Sequence, residues 1–131
     1  MFEFQMLSSS ELDPYLEQFH IYGHGLANGL EPEEHLRRLR AECNGLIGLL
    51  IFKNKVPVAM ITMLPRLSED IHFCGAGLCC VHFAGSGLGF RGVRALHNAL
   101  STIAKDSGAN WYSISSRVSK YEYRNKYYQV R

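Results

Sequence analysis

The sequence VHFAGSGLGFRGVRALHNALSTIAKDSGA, residues 81–109, contains the strongest indications of how the chain folds. It begins as an apolar run, continues into a glycine loop, and becomes helical from Val93. The loop contains four glycines: Gly85, Gly87, Gly89 and Gly92. Apolar side chains then recur with the i, i+3/i+4, i+7 spacing of one buried helix face, at Leu96, Ala99, Leu100, Ile103 and Ala104. A strand, a glycine loop and a helix N-terminus together aim backbone N–H groups and the positive end of a dipole at one point, which predicts a phosphate site.

The segments on either side of this stretch predict further strands and helices. The predicted strands are Phe2–Met6, Leu46–Phe52, Val56–Leu64, Ile71–Phe83, Asn110–Val118 and Tyr121–Val130. The predicted helices are Leu12–Phe19 and Glu31–Gly45, with a loop or broken helix at Ile21–Leu30 and a polar loop at Pro65–Asp70. Gly75 and Gly77, inside the third long strand, predict a bulge or a close approach by another group. A strand after the helix implies one right-handed parallel crossover in an otherwise antiparallel sheet.

Size and composition favour one soluble domain spanning residues 1–131. The chain is 47% hydrophobic and 20% charged, as is ordinary for globular proteins. No apolar run approaches the ~20 residues that cross a bilayer, and the acidic N-terminal segment does not resemble a signal peptide. We therefore expect a cytoplasmic protein with no membrane partner. The four cysteines lack a zinc spacing, and His20 and His24 have no third ligand nearby, so we expect free thiols and no metal.

The charge is unevenly distributed along the chain. Residues 1–90 carry six Lys/Arg and ten Asp/Glu, a net charge of −4, whereas residues 91–131 carry eight Lys/Arg and two Asp/Glu, a net charge of +6. A basic final third that includes the glycine loop fits an anionic ligand, and it would also fit a nucleic acid or a solvated face.

The order of elements, with a glycine-rich strand feeding a glycine loop and a helix, resembles the GCN5-related N-acetyltransferase (GNAT) fold. In that family the loop reads Arg/Gln-x-x-Gly-x-Gly/Ala, and its amides hold the pyrophosphate of acetyl-CoA. Aligned from the strand, Ser86 stands at the Arg/Gln position, with Gly89 and Arg91 at the two glycine positions. Aligned from the helix, Leu88, Arg91 and Val93 stand there instead. The resemblance implies a mixed α/β (α+β) fold and acyl-CoA contacts from Val81, Ser86, Gly87, Gly89, Arg91 and Gly92.

The same resemblance implies the transfer of an acetyl group from acetyl-CoA to an amine. His82 is the preferred candidate for the base that receives the amine proton, and His72 is the second. Glu69 and Asp70 are candidates for binding a cationic amine. The family's general acid is a tyrosine beside the CoA sulfur, for which Tyr121 and Tyr123 are the candidates here.

Two other functions remain open at this point. The first is a catalytically inactive GNAT-like structural or interaction protein, for example a component of a phage particle, which predicts a homo-oligomer or an assembly partner. The second, less favoured, is a nucleic-acid binder, because tyrosines and basic residues interleave between Lys120 and Arg131.

Overall fold

The computed structural model describes residues 1–131, with the exception of the side chain of His24. The strands are β1 (Phe2–Leu7), β2 (Ile47–Lys53), β3 (Val56–Met63), β4 (Ser68–Glu69), β5 (Ala76–Gly85), β6 (Trp111–Ser119) and β7 (Glu122–Gln129). The helices are α1 (Asp13–Phe19), α2 (His24–Ala27), α3 (Pro32–Glu42) and α4 (Gly89–Asp106), with 3₁₀ turns at Ser9–Glu11 and His20–Tyr22.

The strands form one open sheet in the order β1-β2-β3-β5-β6-β7, and the short β4 pairs with β5. Every neighbouring pair is antiparallel except β5 and β6, which run parallel and are joined by α4. The structure confirms the expected GNAT-like class: a mixed, mostly antiparallel sheet flanked by helices, with one parallel strand–helix–strand unit.

Two apolar clusters cover the two faces of the sheet. Leu49 and Ile51 of β2 point toward α4, whose Leu96, Leu100 and Ala104 complete one cluster. Leu50, between them on the same strand, instead packs with Leu12, Leu16 and Phe19 around α1. Successive residues of a strand face opposite sides, so a strand covered on both faces is apolar throughout. This burial explains the continuous apolar run of β2.

The predicted third strand begins too early. Residues 71–75 form turns and bends, and β5 starts only at Ala76. The carboxylate of Asp70 accepts a hydrogen bond of 2.8 Å from the backbone N–H of His72, which closes a local turn, and Ile71 is 95% exposed. The two-residue strand Ser68–Glu69 lies in the segment predicted to be a polar loop.

Helix α4 begins at Gly89, four residues before the predicted start at Val93. Gly89, Arg91 and Gly92 therefore lie in the first turn of a helix and not in the loop that precedes it. Gly92 N–H donates to the Leu88 carbonyl at 3.1 Å, the first i→i−4 bond at this end. A side chain at Gly92 would meet the Phe2 ring at 2.9 Å, so this glycine lets α4 approach β1 closely.

In the part of the chain that the structure describes, no helix is both long enough and apolar enough to cross a membrane.

Candidate functional site

A cleft opens where the two parallel strands separate. β5 and β6 are paired from Gly77–Trp111 to Cys80–Ile114, and beyond these residues the pairing stops. The space between them forms a cleft of about 640 Å³. Its walls come from Val81–Gly85 of β5, Ser115–Arg117 of β6, Lys120, Tyr121 and Tyr123 at the β6–β7 turn, the 20–30 segment and α3. Cavities of this size accommodate small ligands.

A bulge in β5 lies at the point where the cleft begins. Ile61 pairs with Phe83 and Met63 pairs with Cys80, so two residues of β5, Val81 and His82, lie opposite the single residue Thr62. The buried Thr62 hydroxyl takes the place of a ladder partner, because its Oγ1 accepts the His82 N–H at 3.0 Å. Gly77, in contrast, is the site of a close approach: the indole of Trp111 occupies the space of a side chain there.

His82 faces a carboxylate inside the cleft. Its Nε2 lies 3.1 Å from Oε2 of Glu42, the last residue of α3, and the histidine side chain is 19% exposed. Burial lowers the pKa of His82 from its ordinary value, while the neighbouring Glu42 opposes that shift. The neutral imidazole donates its Nε2–H to this carboxylate, which leaves Nδ1 to accept a proton, and the carboxylate can stabilise the imidazolium that results.

A second histidine pair lines the wall formed by the 20–30 segment and α3. Nδ1 of His20 lies 3.4 Å from Nδ1 of His35, and the two rings stack with centroids 5.6 Å apart. Burial, followed by the nearness of His20, lowers the pKa of His35. One nitrogen of such a pair must donate and the other accept, so the contact favours at least one neutral ring.

The β6–β7 turn provides aromatic and cationic groups at the mouth of the cleft. The Arg117 guanidinium lies over the Tyr123 ring at 4.6 Å and donates to the Lys120 carbonyl at 2.9 Å. Lys120 Nζ lies 5.4 Å from the ring centroid of Tyr121. Tyr121 is 88% exposed and Tyr123 is 51% exposed.

The glycine loop lies beyond the end of β5. Ser86 N–H donates to the Val58 carbonyl at 3.2 Å, which ties the start of the loop to β3. Gly87 and Gly89 have φ of +78° and +63°, values that L side chains adopt only with strain. The N–H groups of the first turn of α4 precede the first helical bond at Gly92 and so have no partner within the helix. Exposed Arg91 lies in that turn, and Lys53 Nζ lies 3.2 Å from the Gly87 carbonyl.

The structure brings Val81, His82, Tyr121 and Tyr123 together around one cleft. The other sequence candidates lie elsewhere: His72 is bound to Asp70 at 3.0 Å in an exposed turn beside Glu69. Sequence reasoning missed Glu42 altogether. The one signal in the sequence is that Glu42 is an acidic residue at the C-terminal end of a helix, where the helix dipole favours a positively charged side chain.

Among the residues described, no three His, Cys, Asp or Glu side chains are grouped so that they could hold a metal ion.

Comparisons with known proteins give similarity at the level of structure. No family model matches the sequence, and no curated protein matches it closely. An integron cassette protein of V. cholerae superposes with a TM-score of 0.64 at 10% identity, over 89% of this chain and 76% of that one. A Desulfovibrio desulfuricans protein assigned to the GNAT family of acetyltransferases gives a TM-score of 0.57 at 13% identity, covering 92% and 76%. An aminoglycoside acetyltransferase from an uncultured soil metagenomic sample gives a TM-score of 0.59 at 15% identity, over 92% of this chain and 82% of that one. Together with the bulged β5 and the parallel β5–β6 pair, these superpositions show that the chain has the GNAT fold.

Proposed function

We propose that this protein is a GNAT-like N-acyltransferase that transfers an acetyl group from acetyl-CoA to an amine. The observation that carries the proposal is the cleft between β5 and β6, which opens at the bulge and is lined as far as Gly85, the residue before the glycine loop. Strands that separate leave backbone N–H and C=O groups free on their facing edges, and such groups are matched by the amide-containing arm of CoA.

The residues of the loop fit an anionic group at the end of that arm. The unpaired amides of the first turn of α4, together with the positive end of the helix dipole, favour a pyrophosphate at Gly87, Gly89 and Arg91. Ser86 contributes its hydroxyl, since its N–H is already bound to Val58. Gly92 acts indirectly, because its N–H belongs to the helix and its missing side chain lets α4 lie against Phe2. Val81, in the bulge, lines the acyl end of the cleft.

His82 is the base of the proposed reaction. As the amine nitrogen bonds to the acetyl carbon, the nitrogen loses a proton to Nδ1 of His82, whose Nε2–H is bound to Glu42, and the Glu42 carboxylate stabilises the imidazolium that forms. The carbon–sulfur bond breaks and the CoA thiolate leaves. Tyr123, half-exposed at the cleft, is placed better than Tyr121 to return a proton to the sulfur.

Two measurements test this proposal. Isothermal titration should detect binding of both CoA and acetyl-CoA, and mass spectrometry should detect acetylated products from a panel of primary amines. His82→Gln should abolish turnover and retain CoA binding. The matched control, His72→Gln, removes a histidine that is exposed and lies outside the cleft, and it should retain both. Absence of CoA binding at millimolar concentration would exclude the proposed function.

One observation favours the alternative of an inactive GNAT-like protein with a homo-oligomeric or assembly partner. Both candidate acids are open to solvent, Tyr121 at 88% and Tyr123 at 51% exposure, so water competes with either tyrosine for the departing sulfur. This alternative predicts CoA binding or a stable self-association without turnover. The exposed basic and aromatic residues of β7 also leave a nucleic-acid partner open, and a gel shift with single-stranded DNA that weakens with salt would identify it.

A further inference from the structure

The charges inside the cleft are not balanced. Among the lining side chains that the structure describes, three are basic, Arg38, Arg117 and Lys120, and one is acidic, Glu42. Arg38 is already bound to Glu34 outside the cleft, at 2.9 Å. Arg117 and Lys120 have no carboxylate within ion-pair distance among the described residues. The wall at the β6–β7 turn therefore carries two basic side chains, neither of which forms an ion pair among the described residues.

The only full negative charge on the described lining lies on a different wall. Glu42 extends from α3 to His82 on β5, so the anion and the base of the proposed reaction occur together. A protonated amine is attracted to this carboxylate, and the histidine beside it can receive the amine's proton. The cleft thus presents a negative end for an amine and a separate positive end.

Arg117 is ordered in a way that suits anion recognition. Its guanidinium is held by the ring of Tyr123 and by one bond to the Lys120 carbonyl, which leaves other N–H groups free. A guanidinium with restricted motion loses less side-chain entropy on binding, and its planar donors match two oxygens of one carboxylate or phosphate. Lys120 is close in sequence and adds a second charge to the same wall.

These cations are distinct from the groups proposed for the cofactor phosphates. The described lining of the cleft includes no residue from Ser86 to Arg91. The free amides of α4 belong to that segment, and Lys53 of β2 contacts it at the Gly87 carbonyl. The loop and the β6–β7 turn therefore provide two separate anion-binding regions, one for each substrate.

From this arrangement we infer that the acyl acceptor is a small zwitterion: a primary amine that also carries a carboxylate or phosphate group. The amine lies at Glu42 and His82, and the anionic group lies at Arg117 and Lys120. The inference rests on the proposed acyltransferase function and adds the chemical class of its acceptor. It excludes polycationic amines as preferred acceptors, because two basic side chains repel a second ammonium group.

The test compares acceptors that differ in one group. Acetylation rates are measured for glycine, β-alanine and γ-aminobutyrate, each beside its amide, with 3-aminopropylphosphonate for phosphate-type anions and 1,3-diaminopropane as a dication. We expect kcat/KM for the best acid to exceed that of its amide by about tenfold, the effect of one charge-assisted contact. The amino groups of the amides are less basic than those of the acids, so at equal binding the amides react more readily. A higher rate for the acid must therefore come from recognition of its carboxylate. The rate with 3-aminopropylphosphonate, compared with the rates of the carboxylic acids, shows whether the acceptor's anionic group is a phosphate or a carboxylate.

Variants assign the effect to the cationic wall. Arg117→Gln and Lys120→Gln should each reduce the preference for acid over amide by several-fold and leave KM for acetyl-CoA unchanged. Arg124→Gln, which alters an exposed cation of β7 outside the described cleft lining, is the matched control and should leave the preference intact. A preference for the amides or the diamine would overturn the inference, and so would variants that raise only KM for acetyl-CoA.

Failure of the proposed function gives a different result. If CoA does not bind, that function is excluded. If CoA binds and no amine is acetylated, titration of β-alanine and its amide into the CoA complex decides the acceptor class. Tighter binding of the acid, weakened by Arg117→Gln, supports the inference, and equal or absent binding of both overturns it.

Discussion

Gly77→Ala tests whether one close approach holds together the paired end of β5 and β6. Gly77 and Trp111 are the first partners in the parallel pairing of β5 with β6, and a methyl group on Gly77 would overlap the six-membered ring of the indole. Trp111 is 4% exposed and lies against Phe73 and Tyr127. If the ring moves so that about 100 Å² of its surface becomes exposed, the free energy of unfolding falls by about 2.5 kcal/mol, at ~25 cal/mol per Å² of lost burial. We expect the free energy of unfolding to fall by about 3 kcal/mol once local strain is added.

The assay is urea denaturation followed by far-ultraviolet circular dichroism. Trp111 is the only tryptophan of the chain, so a red shift of native-state fluorescence reports directly on ring exposure in Gly77→Ala. Gly45→Ala is the control: it places a methyl group in open space at φ +83°, and the expected cost is about 1 kcal/mol from backbone strain alone. In a Trp111→Leu background Gly77→Ala should cost little, because the clashing ring is gone. An equal cost in both backgrounds would refute the argument.

The remaining predictions concern the base, the core and the thiols. Because burial lowers the pKa of His82, the kcat/KM of acetyl transfer should rise with pH through a midpoint below the ordinary histidine value. Glu42→Gln removes the influence that raises this pKa, so the midpoint should fall; a midpoint that rises would contradict the assignment. Leu100→Ala, at a position with 0% exposure, should lower the free energy of unfolding by about 3 kcal/mol in urea. Exposed Cys74 should react with dithiobis(nitrobenzoate) in the native protein, whereas burial raises the pKa of Cys80 to about 12 and should protect it until unfolding.

Local patterns in the sequence were sufficient to predict most of the fold. The spacing of apolar residues predicts the β2–β3 hairpin and the buried face of α4. The right-handed rule for strand–helix–strand connections predicts the parallel crossover. Both rules depend only on residues that are close in sequence. Residues 71–75 were wrongly predicted as part of a strand because apolar residues such as Ile71 and Phe73 are typical of strands. There the Asp70 carboxylate captures the N–H of His72, and a single side-chain bond overrides the strand propensity of the segment.

The site was less predictable, because its parts come together only in the folded chain. His82 was predicted as a candidate base because it closely precedes the glycine loop. Its partner Glu42 lies at the end of α3, and no local pattern connects a helix terminus to a strand residue 40 positions later. The exposure of Tyr121 was also not predictable, since the alternating pattern of residues 121–130 does not show that Tyr121 lies in the turn before β7.

The weak sequence similarity and the clear similarity of fold have one physical explanation. The features that define the proposed cofactor site are the splayed edges of β5 and β6, the bulge opposite Thr62 and the free amides at the start of α4. All three are properties of the backbone, so they persist when side chains change, provided that both faces of the sheet stay apolar. Identities of 10–15% to the superposed structures are compatible with retention of the same backbone fold. Acceptor recognition, in contrast, depends on side chains such as Glu42, Arg117 and Lys120. Substitutions can therefore change the acceptor while cofactor binding is retained, and for this reason acceptor class should be tested separately from CoA binding.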